Sequence, residues 1–273
     1  MVSILQQIIS ETRARLAQGI PATRRAELEK FAAERQPRGF RKRLLEVSAQ
    51  GPAIIAELKK ASPSRGLIRE NFSVDDLARE LEKAGASALS VLTEEEHFQG
   101  SLENLRIASR AGLPCLRKDF IVSEVQLLEA RAYGADAALL IVAALDNDEL
   151  KLLLRAAREL ELDVLCEVHD NEELRRAVDC GFDTIGVNNR DLRTFQVTLE
   201  TSVRLNAGIP LTALRVTESG IDNGADIARL RAIGYQAFLI GETLMKQPSP
   251  GDALRKLLAD AARCAPKMEV VRQ

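Results

Sequence analysis

Short apolar runs alternate along this chain with longer stretches in which apolar residues recur every three or four positions. The short runs are Ala53–Leu58, Ala88–Leu92, Cys115–Lys118, Ala137–Val142, Val164–Glu167, Thr184–Val187, Arg215–Glu218 and Ala237–Ile240, and their length and composition predict strands. The longer stretches, Asp75–Ala84, Glu124–Tyr133, Asn147–Leu160, Asn171–Cys180 and Asn223–Ile233, predict amphipathic helices; Leu150, Leu153, Leu154 and Ala157 make one such apolar stripe. Ser73 and Ser123 stand where helix N-caps belong. Gly85, Gly134, Gly181 and Gly234 follow four of the helices, where the chain must reverse into the next strand. From Glu57 to Leu239 the chain takes seven strand-to-strand steps in 182 residues, about 26 each, which is room for a strand, a helix and two short loops. Eight units with right-handed crossovers predict an α/β fold, a (β/α)8 TIM barrel, with a doubly wound open sheet as the competing architecture.

Ahead of the first strand lie a helix carrying Leu5, Ile8, Ile9 and Leu16 and a basic segment, R-Q-P-R-G-F-R-K-R, from Arg35 to Arg43. We expect residues 1–50 to form an N-terminal helical extension over one barrel face, with the basic segment a solvated surface or lid rim rather than a nucleic-acid patch. The whole chain, 1–273, is then a single barrel domain, since α/β barrels reach about 200–250 residues as one unit.

Composition narrows the partners. With 38 Lys and Arg against 40 Asp and Glu the formal charge is -2, so the basic excess typical of nucleic-acid or membrane-surface binding is missing. A 46% hydrophobic content suits a folded core and excludes wholesale disorder. No two of Cys115, Cys166, Cys180 and Cys264 have zinc or redox spacing, and they are expected to act as small apolar residues in a reducing compartment. The longest apolar run, Ala137–Leu145, is nine residues, about half a membrane span. The N-terminus does not resemble a secretory signal, and a cytoplasmic location is expected.

In a barrel of this kind chemistry sits at the carboxyl ends of the strands. Strand alternation sends Glu57 and Lys59 inward from the first run, Lys118 and Phe120 from the third, and Glu167, Asn188 and Glu218 from the fifth, sixth and seventh. Any one of these could be ordinary surface. Two lysines, three glutamates and an asparagine on five strand tips make a costly arrangement without a charged ligand to meet. Ser219-Gly220 after the seventh run and Gly241 after the eighth offer backbone N–H groups where such barrels often bind phosphate, with Lys59 and Arg190 able to complete the site. Phe98 and Phe120 could form an apolar slot for a flat ring, or simply pack as core. His97 and His169 have no second His or Cys at ligand spacing, so no metal site is expected and both are read as surface imidazoles. There is no P-loop, dinucleotide fingerprint or nucleophile elbow, which leaves lysine and glutamate acid–base chemistry on an anionic substrate.

These residues, in this order, resemble the indole-3-glycerol phosphate synthase family. The resemblance rests on I-I-A-E-L-K-K-A-S-P-S-R-G-L-I (Ile54 to Ile68), L-R-K-D-F-I-V, L-L-I-V-A, I-G-V-N-N-R-D-L, V-T-E-S-G-I and F-L-I-G-E-T-L-M, and covers essentially the whole chain. It implies a metal- and cofactor-free carboxy-lyase of tryptophan biosynthesis that turns 1-(2-carboxyphenylamino)-1-deoxyribulose 5-phosphate into indole-3-glycerol phosphate, CO2 and water. By the same match Lys118 is the general acid and Glu167 the general base. Lys59 lies near the substrate carboxylate and phosphate, with a proton-donating role in some accounts, and Glu57, Asn188 and Glu218 orient these groups. The phosphate would sit on Gly220 and Gly241 with Lys59, Arg190 and Ser219 nearby. Phe98, Phe120, Leu139 and Leu192 would line the anthranilate ring, and Ser62 would lie on a covering loop. Glu242 stands where some relatives carry Ser, and should point away from a bound dianion; Asn189 also replaces a Ser. The implied partner is a small phosphorylated substrate, without nucleic acid or membrane; a monomer is expected, with association among the pathway's enzymes left open. The competing functions are a phosphoribosylanthranilate isomerase-like barrel, disfavoured because its usual Cys and Asp stand at the ends of strands one and four whereas strand one here ends in Glu57 and Lys59, and a non-catalytic phosphate-binding barrel.

Overall fold

All eight apolar runs become parallel strands that close on themselves, and the structure, a computed structural model, describes residues 4–264. The strands are β1 (Ala53–Leu58), β2 (Ala61–Ser62), β3 (Gly66–Leu67), β4 (Ala88–Leu92), β5 (Cys115–Lys118), β6 (Ala137–Ile141), β7 (Asp163–Val168), β8 (Thr184–Asn188), β9 (Leu214–Glu218) and β10 (Ala237–Ile240). β2 and β3 form a small antiparallel hairpin in the loop after β1. The other eight make the barrel, closed where β1 pairs with both β4 and β10. The helices are α1 (Ile4–Leu16), α2 (Ala22–Ala33), α3 (Phe40–Ser48), α4 (Val74–Lys83), α5 (Leu102–Ala108), α6 (Glu124–Ala132), α7 (Asn147–Glu159), α8 (Asn171–Asp179), α9 (Glu200–Leu205), α10 (Gly224–Ala232), α11 (Glu242–Met245) and α12 (Pro250–Cys264). Closure of the sheet excludes the open doubly wound alternative. No described helix is long and apolar enough to cross a membrane.

Strand alternation sorts the core into two layers. Ile54, Ala56 and Leu58 point outward and pack with Leu77 and Leu81 of α4. Ala53 and Ile55 point inward, where Leu116, Leu139, Leu165, Val216 and Leu239 fill the barrel. The four reversing glycines all have left-handed φ, from +79° at Gly181 to +108° at Gly234, a conformation that costs a residue with a Cβ. Ser123 caps α6 by accepting from the Val125 N–H at 3.4 Å. Ser73 does not cap α4: its hydroxyl donates to the Asp76 carboxylate at 2.6 Å, a stronger acceptor within reach. Cys115 and Cys166 are buried and Cys180 half-buried, while Cys264 is exposed at the end of α12.

The N-terminal extension reaches both ends of the barrel rather than one face. α1 sits at the carboxyl ends of the strands, pinned by Glu11 to His97 (3.0 Å) and by Arg13 to Glu149 (2.7 Å). α2 runs along the side, burying Leu28 and Ala32 against Leu128 and Ala132 of α6. α3 closes the opposite end: Phe40 and Leu44 are fully buried among Ala53, Ala88, Ala137 and Leu214.

The basic segment is therefore solvated only in part: Lys42 and Arg43 are exposed, while Arg38 and Arg41 are drawn against the barrel and away from any lid rim. Asp136, Asp163 and Asp183 stand at the starts of β6, β7 and β8, and the segment's donors answer them. The Arg38 amide donates to Asp136 Oδ1 at 2.7 Å, its Nη2 lies 2.6 Å from Asp136 Oδ2, and its remaining N–H groups reach the carbonyls of Ser109 and Gly134. The Arg41 amide donates to Asp163 at 2.8 Å, and its guanidinium lies 3.5 Å from Asp183. Charge that looked superficial in the sequence is used to seat an apolar plug. Truncating the plug, Phe40→Ala, should lower the unfolding free energy by about 3–5 kcal/mol in a urea titration while leaving ligand binding at the far end unchanged. A loss below about 1 kcal/mol would show that the barrel closes without it.

Candidate active site

At the carboxyl ends of the strands lies a cavity of about 500 Å³, a size that suits a substrate-sized ligand. Every site residue anticipated above lines it: Glu57, Lys59, Ser62, Phe98, Lys118, Phe120, Leu139, Glu167, Asn188, Arg190, Leu192, Glu218, Ser219, Gly220 and Gly241. They divide into a polar floor, an anion corner and an apolar wall.

On the floor, Lys118 Nζ lies 2.8 Å from Glu167 Oε2 and 3.2 Å from Glu218 Oε2, while Lys59 Nζ lies 2.7 Å from Glu57 Oε1. The three glutamates are buried and the two lysines nearly so. Space for these carboxylates comes from two glycines: a Cβ on Gly186 would overlap the Glu218 carboxylate, and one on Gly241 would overlap that of Glu57. Burial by itself would discharge Lys118, but the charges of Glu167, Glu218 and Glu57 outweigh it and hold the ammonium firmly protonated. Burial would likewise raise Glu167, yet Lys118 and His169 keep that carboxyl well below the ordinary range. Glu218 goes the other way. Burial raises it, Lys118 only partly opposes, the nearby charge of Glu167 adds to the rise, and the group is pushed up to about 8. Its Oε1 has no hydrogen-bond partner among the described residues.

The anion corner is built by the loops after β8, β9 and β10. Ser219 and Gly220 are both left-handed, at φ +65° and +76°, a consecutive pair that makes a tight turn at the cavity. Asn189, fully buried, fixes this turn: its amide donates to the carbonyls of Glu218 and Ser219 at 3.0 and 3.1 Å and to Thr217 Oγ1, while its oxygen accepts from Ser202. Asn188 accepts from the Arg190 amide at 3.0 Å. Glu242 does not point away. It lines the cavity and gathers Arg65 (2.9 Å), Arg190 (3.6 Å) and Lys246 around itself, so the carboxylate expected to repel an anion instead collects the cations that would attract one.

The apolar wall is Phe98 and Phe120, their ring centroids 6.1 Å apart and tilted by 44°, with Leu92, Leu139, Ile141 and Leu192. Each ring is aimed by a buried carboxylate. Glu94 accepts from the backbone N–H groups of His97 and Phe98 at 2.8 and 2.9 Å. Asp119 accepts from the Phe120 N–H at 2.8 Å and is itself held by Arg117 and Thr93 on the outer face of the barrel.

The sequence reading missed several cavity residues. Ile4, Leu5 and Ile8 arrive from α1, Arg65 from the hairpin after β1, Phe195 from the loop after β8, and Lys246 from the end of α11, where it is the C-cap, all outside the strand tips on which that reading relied. The histidines are not surface imidazoles. His97 is half-buried and contacts Glu11 of α1 at 3.0 Å, where the ligand atoms of Glu11, Glu96 and His97 lie within 4.8 Å of one another. His169 is more deeply enclosed, between Glu167 and Glu173.

The pattern of the Indole-3-glycerol phosphate synthase family matches residues 5–257. A protein of that name from Koribacter versatilis is 60% identical over 259 residues, covering 94% of this chain and all of the relative. One from Acidithiobacillus ferrooxidans is 48% identical over 263 residues, covering 95% of this chain and all of the relative. Among solved structures, 3-hexulose-6-phosphate synthase from Salmonella typhimurium superposes with a TM-score of 0.63 at 11% identity, covering 78% of this chain and 99% of that one, a likeness of fold alone.

The raised Glu218 carboxyl links the site to stability. Unfolded, the group titrates near 4.5; folded, near 8. Between those values the folded protein holds the proton more tightly, so the stability contributed by this group falls as pH rises through the window. The variant Glu218→Gln should show a smaller decline in urea midpoint from pH 5 to pH 8 than the parent. Parallel declines would mean that Glu218 is ionised throughout.

Proposed function

The chain belongs to the indole-3-glycerol phosphate synthase family, and from that premise we propose how its residues divide the work. The activity is that of a carboxy-lyase: 1-(2-carboxyphenylamino)-1-deoxyribulose 5-phosphate closes to indole-3-glycerol phosphate with release of CO2 and water. The isomerase-like and non-catalytic alternatives have no support.

The observation that carries the assignment is Lys118, an ammonium enclosed between two carboxylates on the floor of the cavity. The phosphate binds the Ser219-Gly220 turn and the Gly241 N–H, with Lys59, Arg190, Arg65 and Lys246 supplying positive charge. The anthranilate ring packs against Phe98, Phe120, Leu139 and Leu192, which leaves the ribulose chain across the floor. Ser62, on the hairpin strand β2, lies on the loop that covers it.

Lys118 protonates the ribulose carbonyl oxygen as the ring carbon bearing the carboxylate attacks the carbonyl carbon. Loss of CO2 returns its bonding electrons to the ring. The new hydroxyl then departs as water after taking a proton, while Glu167 removes a proton from the ring-closed intermediate to complete the indole. Lys59, paired to Glu57, stands by the substrate carboxylate and can share the proton delivery. Asn188 and Glu218 orient these groups. Every step is a proton transfer or a bond shift within the substrate, which the site's own acids and bases can carry. We further take the chain to be one domain, monomeric and cytoplasmic, acting without nucleic acid, membrane, metal or cofactor.

Purified protein treated with chelator should form indole-3-glycerol phosphate from the carboxyphenylamino substrate, followed by indole fluorescence. Lys118→Met and Glu167→Gln should each lower kcat by about 10²–10⁴. Turnover near that of the parent in either variant would reassign the acid or the base, and an inactive parent would sink the reading as a whole.

A further inference from the structure

Lys118 faces two buried carboxyl groups, donating to Glu167 at 2.8 Å and lying 3.2 Å from Glu218, and these contacts alone do not say which should act as base. The difference lies behind them. Glu218 Oε1 has no hydrogen-bond partner among the described residues. Glu167 Oε1 instead lies 3.3 Å from Nε2 of His169, an ion-pair distance without hydrogen-bond geometry, so its two oxygens face an ammonium and an imidazole.

His169 is set up for this contact by local chain geometry. It is the residue immediately after β7, two positions beyond Glu167, and Asp170 behind it caps α8 by accepting from the Glu173 N–H at 2.9 Å. The cap brings Glu173 back over the turn, where one oxygen accepts the His169 backbone N–H at 2.8 Å and lies 2.9 Å from Nδ1. The ring is thereby fixed from one side and directed at Glu167 from the other, with 13% of the side chain exposed. Both ring nitrogens face carboxylate oxygens, and only the imidazolium carries N–H on both.

The charged groups around the ring agree. Glu167 faces it from β7 and Glu173 from α8, with Lys118 of β5 beyond Glu167. Arg176, one turn further along α8, is turned aside to the carbonyls of Val142 and Leu145 and the side chain of Asn147. Burial disfavours charge on the imidazole, but its contacts with Glu167 and Glu173 prevail and push it up to about 10.

We propose that His169, clamped by Glu173, is a positioning residue for the reaction: it holds Glu167 in place and ionised, and so makes Glu167 rather than Glu218 the base that works beside Lys118. The inference rests on the assignment of Glu167 as base. His169 itself need not touch substrate. Its charge stabilises the carboxylate form of Glu167, and its rigidity keeps the second oxygen from turning away from the floor.

The test uses the full chain with kcat and KM measured across pH for the parent and for His169→Ala, His169→Gln and Glu173→Gln. A base that has lost a neighbouring cation ionises at higher pH, so the acidic limb of kcat in His169→Ala should move up by about 1–3 pH units. KM should change far less, since the phosphate and ring contacts are elsewhere. His169→Gln keeps an N–H donor without the charge: it should recover part of the kcat at high pH while leaving the limb displaced. Glu173→Gln should displace the limb in the same direction by less. If His169→Ala does not fold, the Gln variants carry the same comparison. An acidic limb that stays in place in every folded variant would overturn the proposal, whether or not kcat falls. An inactive parent, or a Glu167→Gln variant as active as the parent, would instead overturn the active-site reading on which it depends.

Discussion

The mouth of this barrel depends on keeping one ammonium charged while it is almost wholly removed from water. A buried cation is tolerated only with close, well-aimed counter-charge. Lys118 has the Glu167 carboxylate at 2.8 Å, with Glu57 adding to the field, and the Glu218 carboxyl at 3.2 Å. Satisfying the lysine this way creates a second difficulty, because clustered carboxylates repel one another. The structure resolves it by treating them unequally. Glu57 has its own partner in Lys59, Glu167 has His169 behind it, and Glu218 holds a proton into the neutral range.

Such an arrangement needs strands that converge and backbones that leave room. Parallel closure brings the tips of β1, β5, β7, β8 and β9 to one end, and the absent side chains of Gly186 and Gly241 are what let the Glu218 and Glu57 carboxylates fit. Arg117 shows how far the support extends. It alternates with Lys118 along β5, so it faces outward, where it pairs with Asp119 and reaches Glu129 of α6. Asp119 in turn fixes the turn that carries Phe120.

The two ends of the barrel divide the labour. Phe40, Leu44 and the contacts of Arg38 with Asp136 close the end remote from the cavity, where sequence change bears on stability rather than chemistry. The same N-terminal segment returns at the other end, where α1 supplies Ile4, Leu5 and Ile8 to the cavity wall. One stretch of chain thus braces the fold at one end and contributes to the site at the other.

Glu57, Lys59, Lys118, Glu167, Asn188 and Glu218 were legible in the linear chain because a strand's side chains alternate with a fixed period of two, and because a closed parallel barrel has only one end where strands finish. Periodicity also marked the eight barrel strands and α1, α4, α6, α7, α8 and α10; α5 and α9, at seven and six residues, were too short to leave a helical signature, and the fifteen residues of α12 were not read as a helix. Other features depend on distance rather than order. His169 looked like surface on metal-ligand spacing alone, although its two partners, Glu167 and Glu173, lie only two and four residues away and are brought to it by the turn between β7 and α8. The charges of Arg35–Arg43 looked solvated because Asp136, Asp163 and Asp183, which receive two of them, lie about a hundred residues or more away. Glu242 looked repulsive because Arg65 and Arg190 meet it only once separate loops converge, although Lys246, four residues on, is a local partner. The sequence by itself determined which face of each strand is buried and which strand tips meet at the cavity, since both follow from backbone periodicity. Tertiary structure alone decided which charge answers which, because a carboxylate's protonation and direction are set by neighbours in space.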